Sequence, residues 1–194
     1  MINTDLPISI VGNGPSKSFW IPEDHANEPS IGCNLYEGCR WTAIYDRKIA
    51  GELNAKKRRI RRPVIAVGNF AEAVLAEPGA LKHIVLFGVV RKRPLRIHNA
   101  GAGAILWALR AGYGPINLYG FDSLFTRKRT TDSDKHWPRP ETLTAAPPGW
   151  MKSWTNIFVA YPDLKLNLHM PEGQRLKSKE INCRFNLIHH PETK

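Results

Sequence analysis

The sequence has few cysteines and no long apolar segment. Its three cysteines are an odd number with no Cys-x-x-Cys pair, which argues against a disulfide framework and against a structural zinc site. No apolar run approaches the ~20 residues of a membrane helix, and Met1–Pro7 contains no apolar signal-peptide core. These absences predict a cytoplasmic protein with no membrane span.

Three common catalytic motifs are also missing. The chain contains no Gly-x-Ser-x-Gly, no Walker A sequence and no His-Glu-x-x-His, which disfavours hydrolases of the α/β type, P-loop NTPases and zinc proteases. Acidic residues are scarce as well, because 17 Asp and Glu stand against 28 Lys and Arg, for a formal net charge of +11. Such an excess of positive charge predicts an anionic partner.

Short apolar strands alternate with helical segments along the chain. Strands are predicted at 7–11, 30–34, 41–45, 64–67, 84–90, 116–119 and 164–168, and helices at 47–56, 70–76, 100–111 and from Pro148 onward. Strands that are apolar on both faces indicate a mostly parallel sheet with helices on both faces. We therefore predict an α/β fold with a single Rossmann-like domain over residues 1–170. A lid-like loop is predicted at 123–148, and 171–194 is a C-terminal tail without an assignment.

Glycine, asparagine or aspartate follows nearly every predicted strand. In a parallel sheet these carboxyl ends lie along one edge, where ligands of such folds bind. Turns favour the same residue types, so a single one indicates only a turn, whereas the set predicts a polar pocket. The set comprises Gly12-Asn13-Gly14, Asn34, Asp46, Gly68-Asn69, Asn99 and Asp122.

Two segments resemble incomplete dinucleotide-binding fingerprints. Gly12-Asn-Gly-Pro-Ser16 follows the first strand, but Lys17 stands where a third glycine is expected. Gly101-Ala-Gly103 opens an apolar helix, and Asp122 follows 21 residues after Gly101, a spacing that suits an acid on a ribose hydroxyl. A plain turn and tight helix–sheet packing explain these glycines equally well, so both interpretations stay open.

Much of the positive charge lies in three clusters, at 56–62, 91–96 and 127–129. The first has six cations in seven residues. A solvated surface would account for it, and so would contact with nucleic-acid phosphates. No aromatic residue interrupts this run, which counts against a single strand that stacks its bases on it. Nucleic acid is therefore an alternative partner through residues 56–62.

His136 is the candidate general base. It lies in the predicted lid-like loop beside two aspartates, and an imidazole can accept a proton near neutral pH. An exposed loop histidine with no role is the simpler interpretation of the residues alone. Near the end of the chain, His189 and His190 are predicted to be incidental, since no metal-ligand spacing joins them to His169.

The chain resembles the bacterial sialyltransferases of glycosyltransferase family 42 in four segments that occur in the same order. These are Ile10-Val-Gly-Asn-Gly-Pro-Ser16, Gly32-Cys-Asn34, Gly101 at the head of an alanine-rich helix, and Leu118-Tyr-Gly-Phe-Asp122. It is also similar to MptE-like domains, relatives of 6-hydroxymethylpterin diphosphokinase, several of which occur in phages. The resemblance covers roughly residues 7–170 and implies a Rossmann-like fold and a nucleotide-sugar donor of the CMP type. Because no Asp-x-Asp pair stands at a predicted strand end, we expect that no metal or other cofactor is required.

The resemblance also implies roles for particular residues. In the sialyltransferases the first-loop asparagine and the asparagine of the Cys-Asn pair contact the donor nucleotide, and these roles would fall on Asn13 and Asn34. In that family the base is a histidine in the loop after a Gly-Ile-Asp turn, which corresponds to Gly120-Phe-Asp122 here, and this implies His136. The remaining nucleotide contacts would be Gly12, Gly14, Ser16, Asn99, Gly101, Gly120 and Asp122.

One departure from the family concerns the donor phosphate. The sialyltransferases have tyrosines just after the Gly-Ile-Asp-like turn, whereas Ser123, Leu124 and Phe125 stand there in this chain. Basic side chains would have to replace those tyrosines, and the candidates are Arg96, Arg127 and Lys128.

The leading hypothesis is a glycosyltransferase of the sialyltransferase type with an unknown acceptor glycan, in the host cytoplasm if the chain is phage-encoded. One alternative is a non-catalytic protein that binds nucleotides or nucleic acid on the same fold. The other is Mg²⁺-dependent pyrophosphoryl transfer, as in the MptE-like relatives, which would use carboxylates such as Asp46 and Asp122.

Overall fold

A computed structural model describes residues 6–34, 36–55, 57, 59–76, 78–124, 148–176 and 183–191. Its strands are β1 (Ile8–Val11), β2 (Ser30–Cys33), β3 (Trp41–Ile44), β4 (Val64–Val67), β5 (Leu86–Val90), β6 (Ile116–Tyr119), β7 (Leu166–Pro171) and β8 (Phe185–His190). Its helices are α1 (Arg47–Asn54), α2 (Gly68–Ala76), α3 (Pro78–Leu81), α4 (Ala100–Arg110) and α5 (Pro148–Ala160), with 3₁₀ turns at Pro15–Phe19 and Asp122–Leu124.

The strands form one parallel sheet in the order β5-β4-β3-β2-β1-β6-β7-β8. Val11 at the end of β1 pairs with Gly32 on one side and with Tyr119 on the other. The chain thus builds outward from β1 in one direction through β5, and then returns to the opposite side of β1 with β6. This topology confirms the predicted α/β, Rossmann-like single domain and its mostly parallel sheet.

Helices cover both faces of the sheet, as predicted. Side chains alternate along each strand, so that Ala43 and Ile65 belong to the core beneath α4 and α5, whereas Ile44 and Ala66 belong to the core beneath α1 and α2. Helix α4 is buried along most of its length. It lies so close to β4 that a Cβ at Gly103 would overlap the side chain of Val67. Within the described ranges, no helix has the length and apolarity needed to cross a membrane.

The structure of the two edge strands, β8 and β5, differs from what the sequence predicts. The segment 171–194 had no assignment, but residues 185–190 form β8, whose inward side chain Phe185 packs against Phe158 and Trp154. Most other side chains of β8 are exposed or half-exposed, so the strand lacks a continuous apolar pattern. At the opposite edge, β5 is apolar in sequence yet largely exposed, because it has a neighbouring strand on one side only.

Candidate functional site

The loops that follow β1 and β6 lie against each other at the centre of the sheet. The Gly12 amide donates to the Tyr119 carbonyl at 2.6 Å, and the Gly14 amide donates to the Gly120 carbonyl at 2.9 Å. A Cβ at Gly14 would overlap the carboxylate of Asp122, so this close approach requires glycine. The strand order reverses at this point, and ligands of open α/β sheets bind in the crevice beside such a reversal.

A buried pair, Ser16 and Asp122, holds these two loops together. The Ser16 hydroxyl donates to Asp122 Oδ2 at 2.6 Å, and the Ser16 amide donates to both carboxylate oxygens at 3.1–3.2 Å. The Gly120 amide in turn donates to the Ser16 hydroxyl at 3.2 Å. Burial raises the pKa of Asp122, and the hydrogen bonds from Ser16 oppose that rise. The carboxylate that the resemblance assigns to a ribose therefore serves as the acceptor of a loop clamp.

Six of the nine residues predicted to contact a nucleotide line one pocket beside this clamp. They are Gly12, Asn13, Asn34, Asn99, Gly101 and Gly120. The other three, Gly14, Ser16 and Asp122, form the clamp itself. The pocket volume is about 80 Å³, well below the ~300–1,000 Å³ of ordinary ligand pockets. Its enclosed part can therefore hold a ring or a phosphate, and the remainder of a nucleotide would extend out of it.

The N-terminus of α4 forms one wall of the pocket through Ala100 and Gly101. Asn99 is the N-cap of this helix, and its Oδ1 accepts from the Ala102 amide at 2.7 Å. The backbone amides and the positive end of the dipole of an 11-residue helix favour an anion at this position. The capping bond also shows that Asn99 has a structural role whether or not it contacts a ligand.

Asn34 enters the pocket at the end of β2. Its φ angle is 56°, in the left-handed region, which asparagine tolerates better than most residues. Its Oδ1 accepts from the Tyr45 amide at 3.4 Å. With its carbonyl oxygen in this contact, the side-chain NH₂ of Asn34 is the group suited to donate to a ligand oxygen.

Two tryptophans of α5 complete the pocket, and the sequence analysis did not include them in the site. Trp150 and Trp154 lie one helical turn apart and both line it. Phe121, also in the lining, meets Trp154 edge-on at a centroid distance of 5.7 Å. The i, i+4 spacing of the tryptophans predicts only an apolar stripe that faces the core. The sequence carries no signal that the first turn of α5 faces a pocket. Aromatic rings there offer a surface for a nucleobase.

Of the four remaining predicted site residues, the structure describes one. His136, Arg127 and Lys128 are outside the described residues. Arg96 is described and exposed, three residues before the N-cap of α4.

The sequence analysis did not consider His98, which directly precedes Asn99. The His98 amide donates to Ser153 Oγ at 2.9 Å. Burial lowers the pKa of His98, and the positive charges of Lys92, Lys152 and Arg96 lower it further. His98 is thus kept neutral and able to accept a proton.

The carboxylates proposed for a magnesium alternative both accept hydrogen bonds from the protein itself. Asp46 caps α1 by accepting from the Lys48 amide at 3.0 Å, and Asp122 accepts from Ser16. In the part of the chain that the structure describes, no group of three or more His, Cys, Asp or Glu side chains is arranged to hold a metal ion.

His169 on β7 and His190 on β8, which the sequence analysis treats as unrelated, are within hydrogen-bond distance of each other. His169 Nδ1 lies 2.8 Å from His190 Nε2, and His169 is stacked on Tyr119 at a centroid distance of 3.9 Å. Burial lowers the pKa of His169 to about 4, with smaller contributions from His190 and His25. Strand register brings these histidines together, and no sequence spacing reveals it.

Comparison of the chain with protein-family models, curated proteins and solved structures finds no match. The sialyltransferase-like assignment therefore depends on the four sequence segments and on where their residues lie in this fold.

Proposed function

We propose that this chain is a nucleotide-sugar-dependent glycosyltransferase of the sialyltransferase type, with a CMP-type donor bound at the carboxyl ends of the strands. One observation carries the proposal. Six residues implied by the resemblance come from four separate segments and line the same pocket at the strand-order reversal. Turn chemistry can explain each of these residues singly, but it does not require them to converge.

Three kinds of protein group bind different parts of the donor in the proposed site. The side-chain amides of Asn13 and Asn34 bind hydroxyl and base oxygens of the nucleotide, because an amide can both donate and accept. The N-terminus of α4 attracts the donor phosphate, assisted by Arg96. Trp150 provides an aromatic surface for the base. The small enclosed volume supports a mode in which the sugar extends toward the acceptor.

The proposed reaction is a direct displacement at the anomeric carbon. The acceptor oxygen attacks that carbon while His136 accepts its proton, and the bond from the carbon to the donor phosphate breaks. The nucleotide leaves with the electron pair, and its growing negative charge is stabilised by Arg96, Arg127 and Lys128. No metal takes part in this scheme. On the sequence prediction alone, we place the activity in the cytoplasm, which is the host's if the chain is phage-encoded.

A nucleotide thermal-shift panel tests this proposal. CMP is expected to raise the melting temperature by about 5–10 °C at a hundredfold excess over its dissociation constant, because that excess stabilises the folded state by about 2.7 kcal/mol. UDP, GDP and ATP, each with and without Mg²⁺, are expected to produce smaller shifts. Asn13→Ala should weaken CMP binding about tenfold by calorimetric titration, which corresponds to the loss of about one hydrogen bond.

Asn186→Ala is the matched control, since Asn186 is exposed on β8, away from the pocket. Its affinity for CMP should equal that of the unmodified protein. A larger shift with ATP and Mg²⁺ than with CMP would instead support pyrophosphoryl transfer. An unchanged CMP affinity in Asn13→Ala would remove Asn13 from the site.

A further inference from the structure

The described residues of the basic run, Lys57 and 59–62, lie at the opposite ends of the strands from the candidate nucleotide site. Arg59 and Arg61 precede β4, and Lys82 and His83 precede β5. Because both strands are parallel to β1 within the sheet, these residues lie at the amino ends of the strands. The pocket described above lies at the carboxyl ends. A nucleotide in that pocket would therefore leave the basic run unoccupied.

The tertiary structure gathers these cations around a cleft of about 820 Å³. The apolar side chains of Ile60, Ile84 and Val85 line it, and they are surrounded by the basic residues Lys57, Arg59, Arg61, Lys82 and His83. No Asp or Glu is among the described residues that line this cleft. Cations from two segments of the chain thus converge without neutralising partners in the lining, an arrangement suited to an anion with several charges.

The positive surface continues toward the centre of the sheet. Arg62 and Arg40 line a neighbouring cleft of about 470 Å³ at the amino ends of β2 and β3. His25 lines the far part of this cleft and is paired with Glu28 at 2.9 Å, so the basic surface ends there. Adjacent strands are about 4.8 Å apart, and the path from β5 to β2 crosses three such intervals, or roughly 15 Å. That is long enough for an extended polyanion to contact several cations in turn.

An exposed aromatic ring lies on the same edge strand as the basic cleft. Val85, which lines the cleft, is 65% exposed, and Phe87, two residues later, is 47% exposed. This separation is about 7 Å along a strand. The Phe87 ring is stacked on Trp41 at 5.0 Å and also contacts Trp107 at 5.5 Å. It is thus a firmly held aromatic surface with about half its area open to solvent.

This ring changes the conclusion that the sequence suggested. Residues 56–62 contain no aromatic side chain, which argued against base stacking on the run. The fold supplies the missing ring from β5. A basic groove together with an aromatic side chain is the combination by which single-stranded nucleic acid is bound without sequence preference.

A second copy of the chain is a less suitable occupant of this edge. If two β5 strands paired in antiparallel fashion, Lys82 of one copy would approach Arg91 and Arg93 of the other. Like charges placed opposite each other destabilise a strand pair. A polyanion can bind the same surface without this repulsion, because its charge is opposite to that of the surface.

We propose that the surface at the amino ends of β4 and β5 binds single-stranded nucleic acid. In this arrangement Lys57, Arg59, Arg61 and Lys82 contact backbone phosphates, and Phe87 stacks on one base. The proposal is independent of the nucleotide site, because the two surfaces lie at opposite ends of the strands. Asn13→Ala should therefore bind single strands as well as the unmodified protein does.

Fluorescence anisotropy of the full chain with a labelled oligothymidylate of about 12 nucleotides tests the proposal, since single-strand sites span roughly 4–16 nucleotides. Four phosphate contacts predict a slope of about −3 for log K against log salt concentration. The triple variant Arg59→Gln, Arg61→Gln, Lys82→Gln should reduce that slope to about −1 and lower the affinity at low salt at least tenfold. A duplex of the same length should bind more weakly than the single strand.

A charge-matched control variant is Arg47→Gln, Lys48→Gln, Arg175→Gln. All three of these residues are exposed and follow the carboxyl ends of their strands. This variant should retain the affinity of the unmodified protein within about twofold, because its substitutions lie away from the proposed phosphate contacts. An equal loss in both triple variants would show that only net charge matters and would overturn the proposal, as would the absence of oligothymidylate binding.

The role of Phe87 has its own test. Phe87→Leu should weaken binding of the single strand about tenfold at every salt concentration, since a stacked base is lost, while Phe87→Tyr should retain binding. Circular dichroism melting of both variants establishes that they are folded. Equal affinity of Phe87→Leu and the unmodified protein, or tighter binding of the duplex than of the single strand, would contradict single-strand recognition at this edge.

Discussion

Asp122→Ala is expected to lower the free energy of unfolding by about 3 kcal/mol, because the buried hydroxyl and amide of Ser16 would lose their acceptor. For a chain of this length, the melting temperature should fall by about 6–12 °C. The carboxylate is only 5% exposed, so water cannot readily replace it. Ser16→Ala removes the hydroxyl that donates to Asp122 and accepts from the Gly120 amide, but it keeps the hydrogen bonds from the Ser16 backbone amide to Asp122. It should therefore cost less, about 2 kcal/mol. Urea unfolding measures both changes.

Asp163→Ala is the control for this prediction. Asp163 is exposed in the turn after α5, and its replacement should change stability by less than about 0.5 kcal/mol. If Asp122→Ala were as stable as Asp163→Ala, the Ser16–Asp122 pair would not hold the two loops together.

The pH dependence of Asp122→Asn provides an independent check on the buried carboxyl. Burial raises the folded-state pKa of Asp122 above its ordinary value of 3.8. The folded state therefore favours the neutral acid, and the stability from this shift is complete below the unfolded-state pKa and lost as pH rises through the folded one. The stability advantage of the unmodified protein over Asp122→Asn should shrink as pH rises from about 4 through the folded-state pKa of Asp122. A growing advantage over that range would contradict a raised pKa.

His136→Ala is expected to reduce sugar transfer by about 10²–10⁴-fold, the usual contribution of a positioned general base. Nucleotide affinity should remain nearly unchanged, because the imidazole acts on the acceptor rather than on the donor nucleotide. The measurement is CMP release from a CMP-activated sialic acid, with and without a panel of glycan acceptors. Calorimetric titration with CMP gives the binding affinity of the same variant.

His98→Ala is the comparison for this experiment. His98 directly precedes Asn99, which lines the pocket. Burial and neighbouring cations lower the pKa of His98, which favours the neutral imidazole, the form that can accept a proton. If His98→Ala loses more transfer activity than His136→Ala, the base is His98. If His136→Ala loses CMP affinity and transfer to the same degree, the separation of roles between base and donor site is wrong.

The alternation of strands and helices could be predicted from the sequence because it depends on local patterns. Apolar runs of four or five residues indicate β1, β4 and β6, and each lies where its pattern predicts. The apolar surface around α4 indicates a buried helix, and the glycines after β1 and β6 indicate tight turns. Given a parallel sheet, the carboxyl ends of its strands lie along one edge, so the sequence also predicts polar residues along that edge. That Asn13, Asn34 and Asn99 line one pocket depends on the tertiary structure, since Asn99 follows β5 at the far side of the sheet.

Contacts between distant segments could not be predicted in this way. Ser16 and Asp122 are 106 residues apart, and the sequence around each residue does not indicate that the two are in contact. The strand β8 depends on pairing with β7 rather than on its own pattern, and the same register places His190 beside His169. The aromatic wall at Trp150 follows from how α5 crosses the sheet.

By itself, the sequence determined the fold class, the polar edge that holds the candidate nucleotide site and the excess of positive charge, since each depends on residue types and short-range spacing. Only the tertiary structure decided which residues share a surface. It separated the nucleotide pocket from the described basic residues Lys57, Arg59 and Arg61, brought Lys82 into the same cleft as these residues, and placed Phe87 on the adjoining edge strand. The physical reason is that strand order and crossover connections, not proximity along the chain, set these neighbours.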